Sequence, residues 1–489
     1  MQIFIERLQR LSAHRPEDPF LSDHESTWTY RMVNEATLRL STHISRLTDP
    51  QRPCIISGPP IVAAISTLAC LRLGKPFIVV SPDVPNQLLN YYIKDSGADI
   101  LARPGDNSVK GDWPSAPDKG LTQVELISIP LPLSTWVTCA PSHEVACLIY
   151  TSGSTGTPKA VVCTYAAMEF SAKAIQNELR YGEKDVVFTS LPLNFDYGLY
   201  QLFLSLMAGS HIYFATAAES GFGLAGSLER TSATIIPMVP HSVEKLAKLV
   251  TRGLAPHSVR LITTTGAALD GDTRRALERH WGDRVDLRVM YGLTECKRVA
   301  IMPPRESYAN LEASGRALPG TDISIRSTTD ASELREGVQG EIYVTGPHLM
   351  AGYHNQPELT QNKYIMVDGK RWLRTGDLGR LDSGGYLYCD GRNESYFKHK
   401  GFRVSASEII ANAKTLGSIT SALVIPPKDG FPLTLCYEGN ADEGALYNYL
   451  AGRLEPHSVP ESIRKFTRLP LNNNGKLDPK AAKEQIDHG

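Results

Sequence analysis

The stretch YTSGSTGTPKAV, Tyr150 to Val161, closes the apolar run VACLIY and holds two glycines, five Ser/Thr hydroxyls, one proline and one lysine. A loop of this kind buries little, and such loops usually exist to hold a ligand. Gly153 and Gly156 let the backbone come close to a bound group. Successive N–H groups, with the hydroxyls of Thr151, Ser152, Ser154 and Thr155, form an anion nest, and Lys159 adds a fixed positive charge. A nucleotide phosphate is the obvious ligand. The loop is not a Walker loop, which would need glycine where Pro158 stands. On its own, a Ser/Thr/Gly run is more often a surface turn than a site, so the weight falls on what accompanies it.

Five further stretches follow in order: TTGAALD (264–270), MYGLTE (290–295), GEIYVTGPHLMAGYHNQPELT (340–360), RTGDLGRLDSGGYLYCDGR (374–392) and NNNGKLDP (472–479). With the first loop, they resemble the motif set of the adenylate-forming superfamily: acyl-CoA synthetases, adenylation domains of peptide synthetases and luciferases. The resemblance spans roughly residues 20 to 480. It implies attack of a carboxylate on the α-phosphate of ATP, giving an acyl-adenylate and pyrophosphate, followed by capture of the acyl group by a thiol. Carboxylate and triphosphate repel each other, so the site must supply cations and donors and hold attacker and leaving group in line.

The resemblance assigns roles residue by residue. Thr151, Ser152, Ser154, Thr155 and Lys159, with Gly153 and Gly156, would surround the β- and γ-phosphates. Thr294 would contact the α-phosphate, and Glu295 would hold Mg2+, a hard cation suited to a carboxylate. Tyr291 would stack on adenine, with Gly266, Ala267 and Ala268 on the other face and Met290 and Gly292 beside it. Asp377 would take the ribose hydroxyls, and Arg392 would make a second ribose or phosphate contact. Lys476 would bridge the substrate carboxylate and the α-phosphate in the transition state. Glu394 stands at the implied hinge, where relatives usually carry Asp or Lys. Rotation there would bring in Lys476 for adenylation, or the KHKGFRV face (398–404) for the thiol step. The ordinary alternatives are a surface glutamate for Glu295, a turn residue for Asp377 and a solvated turn lysine for Lys476.

The acid is addressed by NFDYGLYQLF (194–203), which mixes two patterns. Amino-acid-activating relatives carry an F-D pair whose aspartate binds the substrate ammonium. Many acyl- and aryl-CoA synthetases read F-H-x-Y-G-L. Asp196 is therefore either an ammonium ligand or a helix N-cap. Burial without a cation would be costly, which favours a charged partner. In CKRVA (296–300), Arg298 and Val299 align with the acyl pocket, and Arg298 would pair with a second carboxylate or else lie on the surface. Tyr197, Tyr200, Thr263, Thr265 and Met290 complete the expected walls. Together, Asp196 and Arg298 point to a polar amino acid, β-amino or acidic. The sequence shows no phosphopantetheine-serine segment, so the thiol would come from a separate carrier protein or from coenzyme A, with Asp196 favouring the former. The rival classes are a CoA synthetase for a plain carboxylic acid, a luciferase-like oxidase and a non-catalytic binding member of the family.

These residues need elements to hold them. Helical and strand patterns alternate through most of the 489 residues: TYRMVNEATLRLSTHISRL, IVAAISTLACLRLG, GLYQLFLSLMAGS and DTRRALERHWG as helices, with PCIIS, PFIVVS, DVVFTS, HIYFA, VRLITTTG and DLRVMYG as strands. The expectation is an α/β fold of layered, largely parallel sheets over 1–391, with a β-rich subdomain at about 320–391. A small mobile α+β C-terminal domain would cover 392–489 and carry Lys476. The formal net charge of -1 gives no electrostatic case for nucleic acid or an anionic membrane. The eight cysteines are scattered, without a C-x-x-C pair. The N-terminus MQIFIERLQRLSAHRPEDP has charges inside its apolar stretch and does not read as a signal peptide. The most apolar window is broken by Arg72, Gly74, Lys75 and Pro76, so a cytoplasmic protein without a membrane span is expected.

Overall fold

A computed structural model describes residues 2–47, 49, 51–104, 124–128, 144–151, 158–253, 257–392, 396–399, 402–428, 430–454, 458–472 and 475–488. The chain divides into two compact units. The first comprises Met1–Ser324, Tyr343–Thr375 and Asp382–Leu387, and the second Ile325–Ile342, Gly376–Leu381 and Tyr388–Gly489.

The first unit is α/β. Six parallel strands lie in the order Pro19–Ser22, His211–Phe214, Val186–Thr189, Ile235–Met238, Leu261–Thr264 and Asp286–Tyr291. Their runs are apolar because helices cover such sheets on both faces. The chain leaves Val186–Thr189 for His211–Phe214 on one side, then returns past it to Ile235–Met238 on the other. That reversal is a topological switch point, where the connecting loops part and open a crevice at the carboxyl ends of the strands. A crevice is found there, lined by Ser190, Leu191, Ser220, Met238 and Ser242 among others. The helix Asp196–Ala208 starts just beyond it.

A second sheet runs Gly352–Tyr353, Lys159–Thr164, Val145–Thr151, Phe77–Val80, Cys54–Ser57, Ile100–Pro104 and Val124–Ser128. The glycine-rich loop joins two of its antiparallel strands, with Thr151 opposite Lys159 at the base of the hairpin. Ile55, Ile78, Leu148, Ala160 and Val162 build the core beneath them. The helix Pro60–Leu73 is buried along most of its length and stops at Gly74, whose φ of 70° closes a left-handed cap. The N-terminal helix Gln2–His14 buries Phe4, Leu8 and Leu11, and Phe4 stacks on Phe203 of the Asp196–Ala208 helix at 4.7 Å. No described helix is long and apolar enough to cross a membrane.

The second unit has its own core of Val404, Ile409, Leu435, Tyr437, Leu446 and Leu450, built by a three-stranded sheet (Ile419–Ile425, Thr434–Gly439, Ser462–Lys465) and the helices Ala406–Lys414 and Glu443–Ala451.

Candidate active site

Lys159 and Glu295 come from different elements of the first unit and meet. Lys159 opens the strand Lys159–Thr164, and Glu295 lies in the turn after Asp286–Tyr291. Lys159 Nζ is 3.4 Å from Glu295 Oε1, with side-chain exposures of 19% and 12%. Tyr353 joins them: its hydroxyl donates to Glu295 Oε1 at 2.6 Å and accepts from Lys159 Nζ at 3.0 Å. Thr151 Oγ1 donates to the Lys159 carbonyl at 3.5 Å, and Pro158 O accepts from Tyr91 OH at 2.8 Å, so both ends of the glycine-rich loop are fixed. Ser152, Gly153, Ser154, Thr155 and Gly156 lie outside the described residues.

The turn bearing Thr294 and Glu295 is set by Gly292. A Cβ on Gly292 would fall 1.7 Å from the Lys297 carbonyl oxygen, so only glycine lets the 292–297 segment close this tightly. Lys297 completes the turn with φ 56°. Met290 and Tyr291 are buried at the end of their strand, Thr294 is half-buried, and Val299 is buried with its N–H donating to Tyr291 O at 2.9 Å. Gly266, with φ 97°, turns the chain after Leu261–Thr264, and Ala267 and Ala268 beyond it are exposed. The hydroxyls of Thr264 and Thr265 are buried without a hydrogen-bond partner among the described residues.

The helix Asp196–Ala208 supplies a buried charged cluster. Phe195 is its N-cap residue and no side chain caps it, so Asp196, in the first turn, is not the capping residue. Instead Asp196 Oδ2 lies 3.7 Å from Arg298 Nη1, both side chains being 6% exposed. Arg298, far from the surface, packs 4.8 Å over the Tyr197 ring, and Tyr197 OH is hydrogen-bonded to Thr263 Oγ1 at 2.6 Å. Lys297 is 1% exposed, and its Nζ has no hydrogen-bond partner among the described residues. It sits 5.6 Å over the Tyr200 ring. Burial disfavours its charge, but the Cys163 thiol and the Asp196 carboxylate outweigh this and hold its pKa above the ordinary lysine value. Two buried cations thus face one carboxylate. Sequence reasoning passed over Lys297. Its signal was a Lys-Arg pair inside the otherwise apolar run from Cys296 to Met302. Tyr353 was also missed, although GEIYVTGPHLMAGYHNQPELT contains it.

The remaining expected residues lie in the second unit. Asp377 is 6% exposed on the strand Lys370–Leu381. Arg392 ends the strand Tyr386–Arg392, and Glu394 lies outside the described residues. Lys476 is exposed at a turn whose Gly475 has φ 71°. Its N–H donates to Asn472 Oδ1 at 3.0 Å, and its carbonyl accepts from Asn472 N at 2.7 Å.

Among the described residues no cluster of three His, Cys, Asp or Glu side chains could cage a metal. A single carboxylate such as Glu295 still suits a magnesium ion that keeps its waters and takes phosphate oxygens. The donors therefore fit magnesium carried in with a nucleotide.

The sequence matches the AMP-binding enzyme family over residues 8–354. It is similar to surfactin synthase subunit 1 of Bacillus subtilis (strain 168), 26% identical over 98% of this chain but only 14% of that protein's length. In structure it resembles O-succinylbenzoate coenzyme A synthetase from Bacillus subtilis, solved with AMP, at TM-score 0.77 and 23% identity over 96% of each chain. It also resembles VinN in complex with L-aspartate, at TM-score 0.65 and 28% identity over 79% of this chain and 98% of that one.

Proposed function

The chain belongs to the AMP-binding enzyme family, and from that premise we propose that it activates an amino acid carrying a second carboxylate, using ATP and magnesium, and passes the acyl group to a phosphopantetheine thiol of a separate carrier protein. One observation carries the substrate reading: Arg298 is paired with Asp196 in the interior, and Lys297 is buried next to it in the chain within electrostatic reach of the same carboxylate. Buried charge is costly unless paired. A substrate bringing one ammonium and one extra carboxylate would give each kind of charge in the cluster a partner, the ammonium on Asp196 and the carboxylate on Lys297 and Arg298, while leaving the net charge of the cluster unchanged. The likeness to a protein solved with L-aspartate supports this, since aspartate has that charge pattern.

In the first step the triphosphate lies along the glycine-rich loop. Lys159 follows charge onto the leaving pyrophosphate, and Glu295 is the residue that would hold magnesium, which draws off phosphate charge when bound. Thr294 steadies the α-phosphate, Tyr291 and the Gly266 turn hold the adenine, and Asp377 and Arg392 the ribose. Lys476 stabilises the negative charge that gathers between attacking carboxylate and α-phosphate. In the second step the thiol attacks the mixed anhydride and AMP leaves.

A second reading has its own support. The Asp196–Arg298 pair satisfies the carboxylate without any substrate ammonium, as expected of an acyl- or aryl-CoA synthetase with coenzyme A as acceptor. ATP–pyrophosphate exchange decides, run with α-amino, β-amino and dicarboxylic amino acids and the same skeletons without the amino group. Exchange that needs both charged groups and falls with Asp196→Ala supports the amino-acid reading. Equal exchange with the deaminated acids hands the function to the CoA-ligase reading.

A further inference from the structure

We propose that Tyr353 is a positioning residue for the triphosphate, holding Lys159 and Glu295 in one fixed array. The inference rests on the roles given to those two residues above. A lysine and a glutamate left to themselves close to a direct, charge-assisted contact of about 2.8 Å. Each then spends its charge on the other, and neither is presented to a phosphate or a metal. Here the direct hydrogen bond from Nζ to Oε1 is stretched to 3.4 Å, and the Tyr353 hydroxyl is bonded to both more closely, accepting from Nζ at 3.0 Å and donating to Oε1 at 2.6 Å. An ammonium has three protons to give, so a phosphate oxygen can join this array without dismantling it.

The hydroxyl can do this because the residue around it is fixed. Tyr353 is 1% exposed, and its strand pairs with the Lys159 strand, Tyr353 opposite Val161. Its N–H donates to Thr360 Oγ1 at 3.0 Å. Its ring lies under the lysine, with Nζ 4.3 Å from the centroid. The same segment also grips the backbone of the Glu295 turn: Met350 N–H and Tyr364 OH both donate to Glu295 O, at 2.9 and 3.3 Å. A buried tyrosine in an ordinary core also finds a partner for its hydroxyl. What sets this one apart is that both partners are charged and arrive from separate elements.

Tyr353→Phe keeps the ring and removes only the hydroxyl. Loss of a hydrogen bond to charged groups should raise the magnesium concentration and MgATP KM needed for half-maximal pyrophosphate exchange about 10- to 100-fold. Metal-free AMP lacks the β- and γ-phosphates, so its affinity, read by calorimetry, should stay within about twofold, and the melting temperature of the unliganded protein within about 2 °C. The melting-temperature rise produced by MgATP should shrink while that produced by AMP does not. In a Lys159→Met background the added Tyr353→Phe change should cost little, since its effect runs through the lysine. Wild-type magnesium dependence in Tyr353→Phe, or an equal loss for AMP and MgATP with a lower melting temperature, overturns the proposal. A wild-type protein with no exchange for any acid and no MgATP shift overturns the reading of the site itself. A wild type that exchanges beside an unaltered Tyr353→Phe overturns only the tyrosine's role.

Discussion

At the scale of single residues, the site divides by charge. Lys476 stands exposed on a turn closed by Asn472 and Gly475. Lys476→Ala should lower adenylation about 10²- to 10³-fold, the usual cost of one transition-state contact, while ATP binding measured by calorimetry stays near wild type. Normal pyrophosphate release from the variant would remove Lys476 from the mechanism. Lys297 sits in the opposite setting, buried and without a hydrogen-bond acceptor among the described residues. Lys297→Met removes a buried cation whose charge Cys163 and Asp196 favour, so the melting temperature at neutral pH should fall. The KM for a dicarboxylic amino acid should climb about 10- to 100-fold, with little change for a neutral amino acid of the same backbone. A KM that does not move would show that no second carboxylate reaches Lys297. Lys159, Glu295 and Asp196 could be picked out in the sequence because each stands in a motif whose spacing survives without coordinates, and Arg298 because it follows one closely. The Asp196–Arg298 pairing and the burial of Lys297 were not, because they depend on a helix and a turn about a hundred residues apart meeting in space.

Elements set these positions through a few close approaches. The turn from Gly292 to Lys297 closes only because no side chain stands between Gly292 and the Lys297 carbonyl. Gly292→Ala must push that carbonyl away, at a cost of about 1–3 kcal/mol as in other overpacked sites. It should displace Glu295 and Lys297 together, so a fall in melting temperature with loss of both MgATP and amino-acid affinity is expected. A variant that loses only one affinity would argue against the shared turn. Strand starts are tied by charge as well. Asp185 accepts from Gly182 N at 2.6 Å, Thr234 Oγ1 at 2.8 Å and Arg260 Nε at 2.8 Å, linking three strand starts. Burial works against its ionised form, but Arg260, Gly182 and Thr234 outweigh it and hold its pKa below the ordinary aspartate value of 3.8. A carboxyl with a depressed folded-state pKa stabilises the fold above its unfolded pKa, and the contribution is lost as pH falls through the folded value. Wild type should therefore exceed Asp185→Asn in denaturant midpoint at pH 7, with the gap closing as pH falls below about 4. A gap independent of pH would assign the effect to packing. The alternating helices and strands of the parallel sheet could be read from the sequence because their periods differ and Gly74 and similar residues mark the ends. The crevice at the switch point could not, since it follows from the spatial order of strands and not from any one of them.

For the whole molecule, the two half-reactions of the proposed function would ask opposite things of one set of charges. Adenylation would bring a carboxylate against a triphosphate, and the proposed function asks Lys159, Lys476 and a magnesium ion that Glu295 would hold to offset that charge. Thioester formation involves no triphosphate, only a neutral or anionic sulfur and a departing AMP. Glu295 belongs to the first unit and Lys476 to the second. Metal removal separates the two steps. Excess EDTA added before ATP should abolish pyrophosphate release. Added after the adenylate has formed, EDTA should stop new adenylate while letting the bound acyl group pass to the thiol at close to its normal rate, if the ion that Glu295 would hold serves only the departing pyrophosphate. Single-turnover transfer from a radiolabelled amino acid, quenched at intervals after EDTA, measures this directly. If thiol transfer halts with the metal, magnesium serves the second step too, and the assignment of Glu295 to the departing pyrophosphate alone is wrong.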